Sequence, residues 1–184
     1  MMGMQRHIFT MMAIWSAVAL ASTACNAAPQ TMDPGKLTIT LTRSACYGAC
    51  PAYKVTIQSD GRVQFTTDTE PVDAVDAVHR QFAISRGVLF PGTHEDRVAP
   101  EAVTALPKQF EDVDFWHLKD EYRSFVTDNP TQIVTLVSGT RQKSVIDYVG
   151  VEAGMPKTVQ RLEDAIDQVA GTDRWVRGSP ALIP

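Results

Sequence analysis

The sequence predicts an α+β fold, a single domain in which an antiparallel sheet of about five strands carries two helical segments packed on it. Three observations lead there. Leu37, Ile39 and Leu41 alternate with Thr38, Thr40 and Thr42, the period-two pattern of a strand with one buried face. Two runs of the same alternation flank Ser59-Asp60-Gly61, and Asp-Gly between strands favours a tight hairpin. Near the end of the chain Val159, Leu162, Ile166 and Val169 recur at three- and four-residue spacing, the apolar stripe of a core-facing helix.

Taken in order, the first strand is followed by a hairpin with Tyr53, Val55 and Ile57 on one arm and Val63 and Phe65 on the other. Residues 67–97 show no sustained period; they predict an irregular strand near residues 81–84 and a loop at Pro91-Gly92-Thr93-His94. Helical character starts at Ala99-Pro100-Glu101, with Pro suited to a first turn, and Val103, Leu106, Phe110 and Val113 give it a core face. Pro107 interrupts that run, which predicts a kink or two shorter helices. A second strand pair uses Ile133, Val134, Leu136 and Val137, turns at Ser138-Gly139-Thr140, and returns through residues 144–148. The closing helix spans residues 156–170 and ends at Gly171. Its other face reads as charged, with Lys157, Arg161, Glu163, Asp164 and Asp167.

The 184 residues carry 17 Lys plus Arg against 21 Asp plus Glu, a formal charge of −4, which offers no electrostatic footprint for nucleic acid. Residues 8–21 (IFTMMAIWSAVALA) are free of charge and follow Arg6. They are shorter than the roughly 20 apolar residues a bilayer span needs and match the apolar core of a signal peptide, so residues 1–24 are expected to direct export. Cys25 follows Ser22-Thr23-Ala24 and resembles the lipidated cysteine of a bacterial lipobox, although Ser22 stands where that pattern prefers Leu. Cleavage after Ala24, Ala27 or Ala28, leaving no anchor, is the alternative. Lipidation of Cys25 would leave Cys46 and Cys50 as an even pair in an oxidising compartment. Residues 25–35 read as a tether, 36–177 as the folded domain and 178–184 as a tail.

The run Cys46-Tyr47-Gly48-Ala49-Cys50-Pro51-Ala52-Tyr53, directly after a Thr-rich strand, resembles the opening of a bacterial envelope family, domain of unknown function 6438. Its Cys-x-Gly-x-Cys-Pro-x-Tyr signature is followed by a strand–Asp-Gly–strand hairpin, here residues 54–66. Asp114-Phe115-Trp116, Tyr122, Thr127-Asp128-Asn129-Pro130, Asp147-Tyr148 and Gly171-Thr172-Asp173-Arg174-Trp175 are similar to its later motifs. The resemblance covers residues 36–177, is weakest over 67–97, and implies a secreted or lipid-anchored protein with no assigned activity.

Cys46 and Cys50 stand four positions apart, with Gly48 freeing the backbone to turn back, so a disulfide clasp is expected. Two other readings stay open. A redox dithiol usually has two intervening residues rather than three. Zinc would need further ligands, and His79, His94 and His117 show no metal-ligand spacing. His94-Glu95-Asp96 reads as a solvated loop, and Thr127-Asp128-Asn129-Pro130 reads as a turn in which Asp128 bonds its own backbone. Asp147 is either a buried acid or a solvent-facing strand residue, while Phe115, Trp116, Tyr122 and Trp175 read as core or rim aromatics. His94, Tyr122 and Asp128 are the candidate ligand residues; no catalytic set, metal or cofactor is expected. The reading is therefore an exported, lipid-anchored periplasmic domain, attached to the outer membrane through Cys25 alone, that binds an envelope protein, a peptide or a cell-wall component. The alternative is a periplasmic thiol-redox or metal-binding enzyme centred on Cys46 and Cys50.

Overall fold

The computed structural model describes residues 32–67 and 87–178. The expected leader, Cys25, the strand at 81–84 and the tail beyond residue 178 lie outside the described residues. The chain enters at Met32, which is buried, and Asp33, whose backbone N–H donates to Ser138 Oγ at 2.8 Å before a 3-10 turn at Pro34–Lys36.

Strand β1 (Leu37–Arg43) buries Leu37, Ile39 and Leu41, as the alternation requires. Strands β2 (Tyr53–Gln58) and β3 (Arg62–Thr66) form the hairpin. Gly61 at its turn has φ 84°, and a Cβ there would run into the Val98 carbonyl oxygen, so only glycine fits. After β4 (Thr93–Arg97), the helical run divides into α1 (Pro100–Val103) and α2 (Leu106–Asp112), with Pro107 in the first turn of α2, where its missing N–H is harmless. Then come β5 (Glu121–Arg123), β6 (Gln132–Ser138), β7 (Arg141–Tyr148) and α3 (Lys157–Ala170), which Gly171 terminates at φ 66°. A π-helical turn follows at Arg174–Gly178.

Among the described residues the sheet has seven strands, not about five, in the order β4-β3-β2-β1-β6-β7-β5. Every pairing is antiparallel except β5 with β7. The two unforeseen strands are the edges. Strand β4 reads Thr-His-Glu-Asp-Arg; its backbone ladder to β3 holds it, while its charges discourage pairing with another chain. His94 therefore lies in an edge strand rather than in a loop. Strand β5 is three residues long and buries only Tyr122, too little for a period to register.

The closing helix also departs from its reading. Glu163 is buried together with Val159, Leu162, Ile166 and Ala170, and Asp167 turns toward the sheet, so the charged face keeps Lys157, Arg161 and Asp164 but loses those two. Both acids have a counterpart in the sheet. Cross-strand register lines up Tyr53 of β2, Arg43 of β1, Gln132 of β6, Asp147 of β7 and Tyr122 of β5 in one row. Paired residues share a face. The row lies on the core face because Arg43 continues the alternation of Leu37, Ile39 and Leu41. The next row inward is apolar from β3 to β7, with Phe65, Val55, Leu41, Val134 and Val145, and ends at His94 of the edge strand β4. One end of the core is thus polar, and α3 crosses it.

Candidate functional site

At that polar end a cleft of about 530 Å³ opens between Cys50-Pro51, Pro130 and Gln132 on the sheet side and Asp164, Asp167, Gln168 and residues 171–173, 176 and 177 on the helix side. Asp167 is its organising group. Arg43 donates to Asp167 Oδ2 from Nε at 2.9 Å, with Nη2 at 2.8 Å, while Tyr53 Oη and Thr172 Oγ1 donate to Oδ1 at 2.8 Å and 2.9 Å. Burial pulls the Arg43 guanidinium down, but the charge and hydrogen bond of Asp167, with the charges of Tyr53 and Glu163, together outweigh it and leave Arg43 above its ordinary range. Burial, and then the charge of Asp167, push the Tyr53 phenol far up, so it stays protonated. The cluster works as a lock between β1, β2 and α3 rather than as a proton shuttle.

Cys46 and Cys50 form a disulfide with Cα atoms 5.5 Å apart, the clasp expected from their spacing. The clasp loop is stitched to the 127–131 turn: Ser44 N–H donates to the Thr131 carbonyl at 2.9 Å, Thr131 N–H to Ser44 Oγ at 2.8 Å, and Tyr47 N–H to the Asp128 carbonyl at 3.2 Å. Two loops distant in sequence are thereby held as one rim. Phe125 stands fully in solvent on the second of them and Tyr47 is 91 % exposed on the first.

Of the candidate residues, Cys50 lines the cleft and Asp128 lies in the rim turn, with φ 68° and its carboxylate accepting from Thr127 Oγ1 at 3.1 Å. His94 and Tyr122 belong to the two opposite edge strands, so the three ligand candidates do not converge. His94 Nε2 donates to the Phe90 carbonyl at 2.9 Å, and its ring stacks on Trp175 with centroids 5.8 Å apart. Tyr122 is buried, its hydroxyl accepting the Lys119 N–H at 3.2 Å. Phe115 is a core residue, in edge contact with Phe110 at 4.9 Å, while Arg141 lies 3.9 Å over the half-buried Trp116 ring. Asp147 takes the buried alternative and accepts the Gly150 N–H at 2.6 Å.

The residues that sequence reading missed are Arg43, Tyr53, Glu163 and Asp167. A signal existed for two of them: Arg43 falls on the core phase of its strand, and Glu163 falls inside the 159/162/166 stripe.

A family described as Domain of unknown function (DUF6438) matches over residues 37–170, from the first residue of β1 to the last of α3. The match takes in the clasp, Arg43, Tyr53, Asp147, Glu163 and Asp167, and ends before Thr172. No curated protein matches the chain.

Proposed function

Because the chain belongs to the DUF6438 family, we propose that it is an exported, lipid-anchored protein of the bacterial envelope whose folded domain binds a partner at the clasp end of the sheet. The apolar stretch at residues 8–21, the small residues before Cys25 and a closed Cys46–Cys50 clasp support export to an oxidising compartment. Lipidation of Cys25 would hold the domain on the periplasmic side of the outer membrane. Among the described residues no helix is long and apolar enough to cross a membrane.

The observation that carries the binding reading is the rim. Exposed aromatics are the side chains that binding surfaces most use as anchors, and Tyr47 and Phe125 stand on loops that also supply Cys50, Pro51 and Pro130 to the cleft. Inside the cleft the acid–base groups are already committed: Asp167 accepts from Arg43, Tyr53 and Thr172. The partner is an envelope protein, a peptide or a cell-wall component, stacked on the rim and hydrogen-bonded in the cleft.

The test uses the full-length protein in its own cells. Intact mass under thiol trapping is expected to show acyl chains on Cys25 and an oxidised Cys46–Cys50 pair. Crosslinking is expected to capture an envelope partner that Tyr47→Ser plus Phe125→Ser loses, with folding stability unchanged within about 0.5 kcal/mol. Capture by the double variant at the normal level would overturn the rim as the site, and free thiols would overturn the clasp.

The position of Cys50 in the cleft wall favours thiol chemistry as the second reading. Cys46→Ser plus Cys50→Ser separates the two. Binding is expected to survive with a stability loss of about 2 kcal/mol, the loop-closure value for so short a loop, whereas a thiol mechanism would vanish.

A further inference from the structure

We propose that α3 is latched to the sheet by a proton: docking of the helix takes up one proton at Glu163, so that rising pH loosens the helix together with the cleft wall it carries. The inference rests on the charges buried under α3 and not on the binding reading. Glu163, on the inner face of α3, is 4 % exposed, and Asp147 of β7, whose charge faces it, is 2 % exposed. The groups facing Glu163 are Arg43 from β1, Asp147 from β7, and Asp164 and Asp167 of α3 itself. Strand β2 adds Tyr53, a neutral phenol bound to Asp167. Helix α2 meets α3 with its apolar side, and its own charges, Lys108, Glu111 and Asp112, are exposed.

One guanidinium therefore faces several carboxylates, and it is already committed. Arg43 spends its short contacts on Asp167. Burial raises the Asp147 carboxyl above its ordinary range too, but the Gly150 N–H at 2.6 Å and then Arg43 offset part of that. No described residue donates a hydrogen bond to Glu163, so of the buried acids it is the one least able to stay ionised. Burial first, and the charge of Asp147 second, raise its pKa from 4.5 to about 8. The sign follows. Between those values the docked helix holds a proton that the undocked helix releases, so docking is strongest below the lower value, weakens as pH rises, and stops changing above about pH 8.

Hydrogen exchange of the α3 amides from pH 6 to 9, corrected for intrinsic base catalysis, reads this directly. In the wild type the opening constant is expected to rise by up to about tenfold per pH unit, the limit for one linked proton, and to level off beyond about pH 8. Glu163→Gln is expected to flatten the profile and protect α3 at pH 8. Equal slopes in the two proteins would overturn the latch. Should Glu163→Gln fail to fold, Asp147→Asn provides the second reading: relieving Glu163 of a neighbouring charge is expected to move the plateau to lower pH, and an unmoved plateau overturns the proposal. Infrared difference spectra at pH 6.5 are expected to show a protonated-carboxyl band that Glu163→Gln removes. Its absence from the wild type would also overturn the latch.

Discussion

Arg43→Ala is expected to destabilise the domain by about 3–5 kcal/mol, the usual loss when one partner of a buried ion pair is removed. The side chains of Arg43 and Asp167 are only 17 % and 19 % exposed, so solvent does little to screen the uncompensated carboxylate left behind. Asp147, Glu163 and Asp167 would then share one end of the core with no guanidinium among them. Urea unfolding at pH 7 measures the loss. Asp167→Asn added to Arg43→Ala is expected to recover part of it, because the double variant no longer buries that unpaired charge. A loss below about 1 kcal/mol would mean that the pair is held in effectively aqueous surroundings.

Phe65→Ala is expected to cost a similar amount, about 3–5 kcal/mol, for a different reason. Phe65 is fully buried, with its ring between Tyr53 at 5.1 Å and Trp175 at 4.8 Å. Truncation opens a cavity and also removes the surface on which the π-helical turn Arg174–Gly178 rests. Two further contacts hold that turn: Arg174 pairs with Asp96 of β4, and the Phe90 N–H donates to the Trp175 carbonyl at 3.0 Å. The expected result is a lower urea midpoint together with a red-shifted tryptophan emission as Trp175 meets water. A midpoint change with no emission change would show that the turn holds its place without Phe65.

Much of this architecture is legible in the sequence because one-sided burial writes its period into the chain. Strands β1, β2 and β3 alternate, β6 and β7 show as apolar runs on either side of a glycine turn, and α3 carries its stripe. Strand β4 buries no apolar side chain; its inward positions are His94 and Asp96, which meet Trp175 and Arg174, so Thr-His-Glu-Asp-Arg has no apolar alternation to read. The clasp was legible from local spacing, since it closes within five residues. The polar row was not, because it arises from register between strands far apart in sequence: nothing local places Arg43 opposite Gln132. Asp167 and Glu163 were assigned to the water face because charge outweighed phase in the reading. In the fold phase wins, since Arg43 and a proton make the burial of those acids tolerable.

The pairing of β1 with β6 has a kinetic consequence. Leu37 meets Ser138 and Arg43 meets Gln132, so the central strand waits for a partner nearly a hundred residues further along the chain. Closing so long a loop is entropically slow, and domains built on such distant contacts fold in milliseconds to seconds rather than microseconds. Until β6 arrives, the sheet formed by β4, β3, β2 and β1 leaves the far side of β1 unpaired, an edge running through the strand that becomes the middle of the sheet. A nascent or truncated chain lacking residues 132–138 would offer that edge to any passing strand, and aggregation is its natural fate. For this chain, timing matters as much as stability, because a buried central strand made early must wait for a partner made much later.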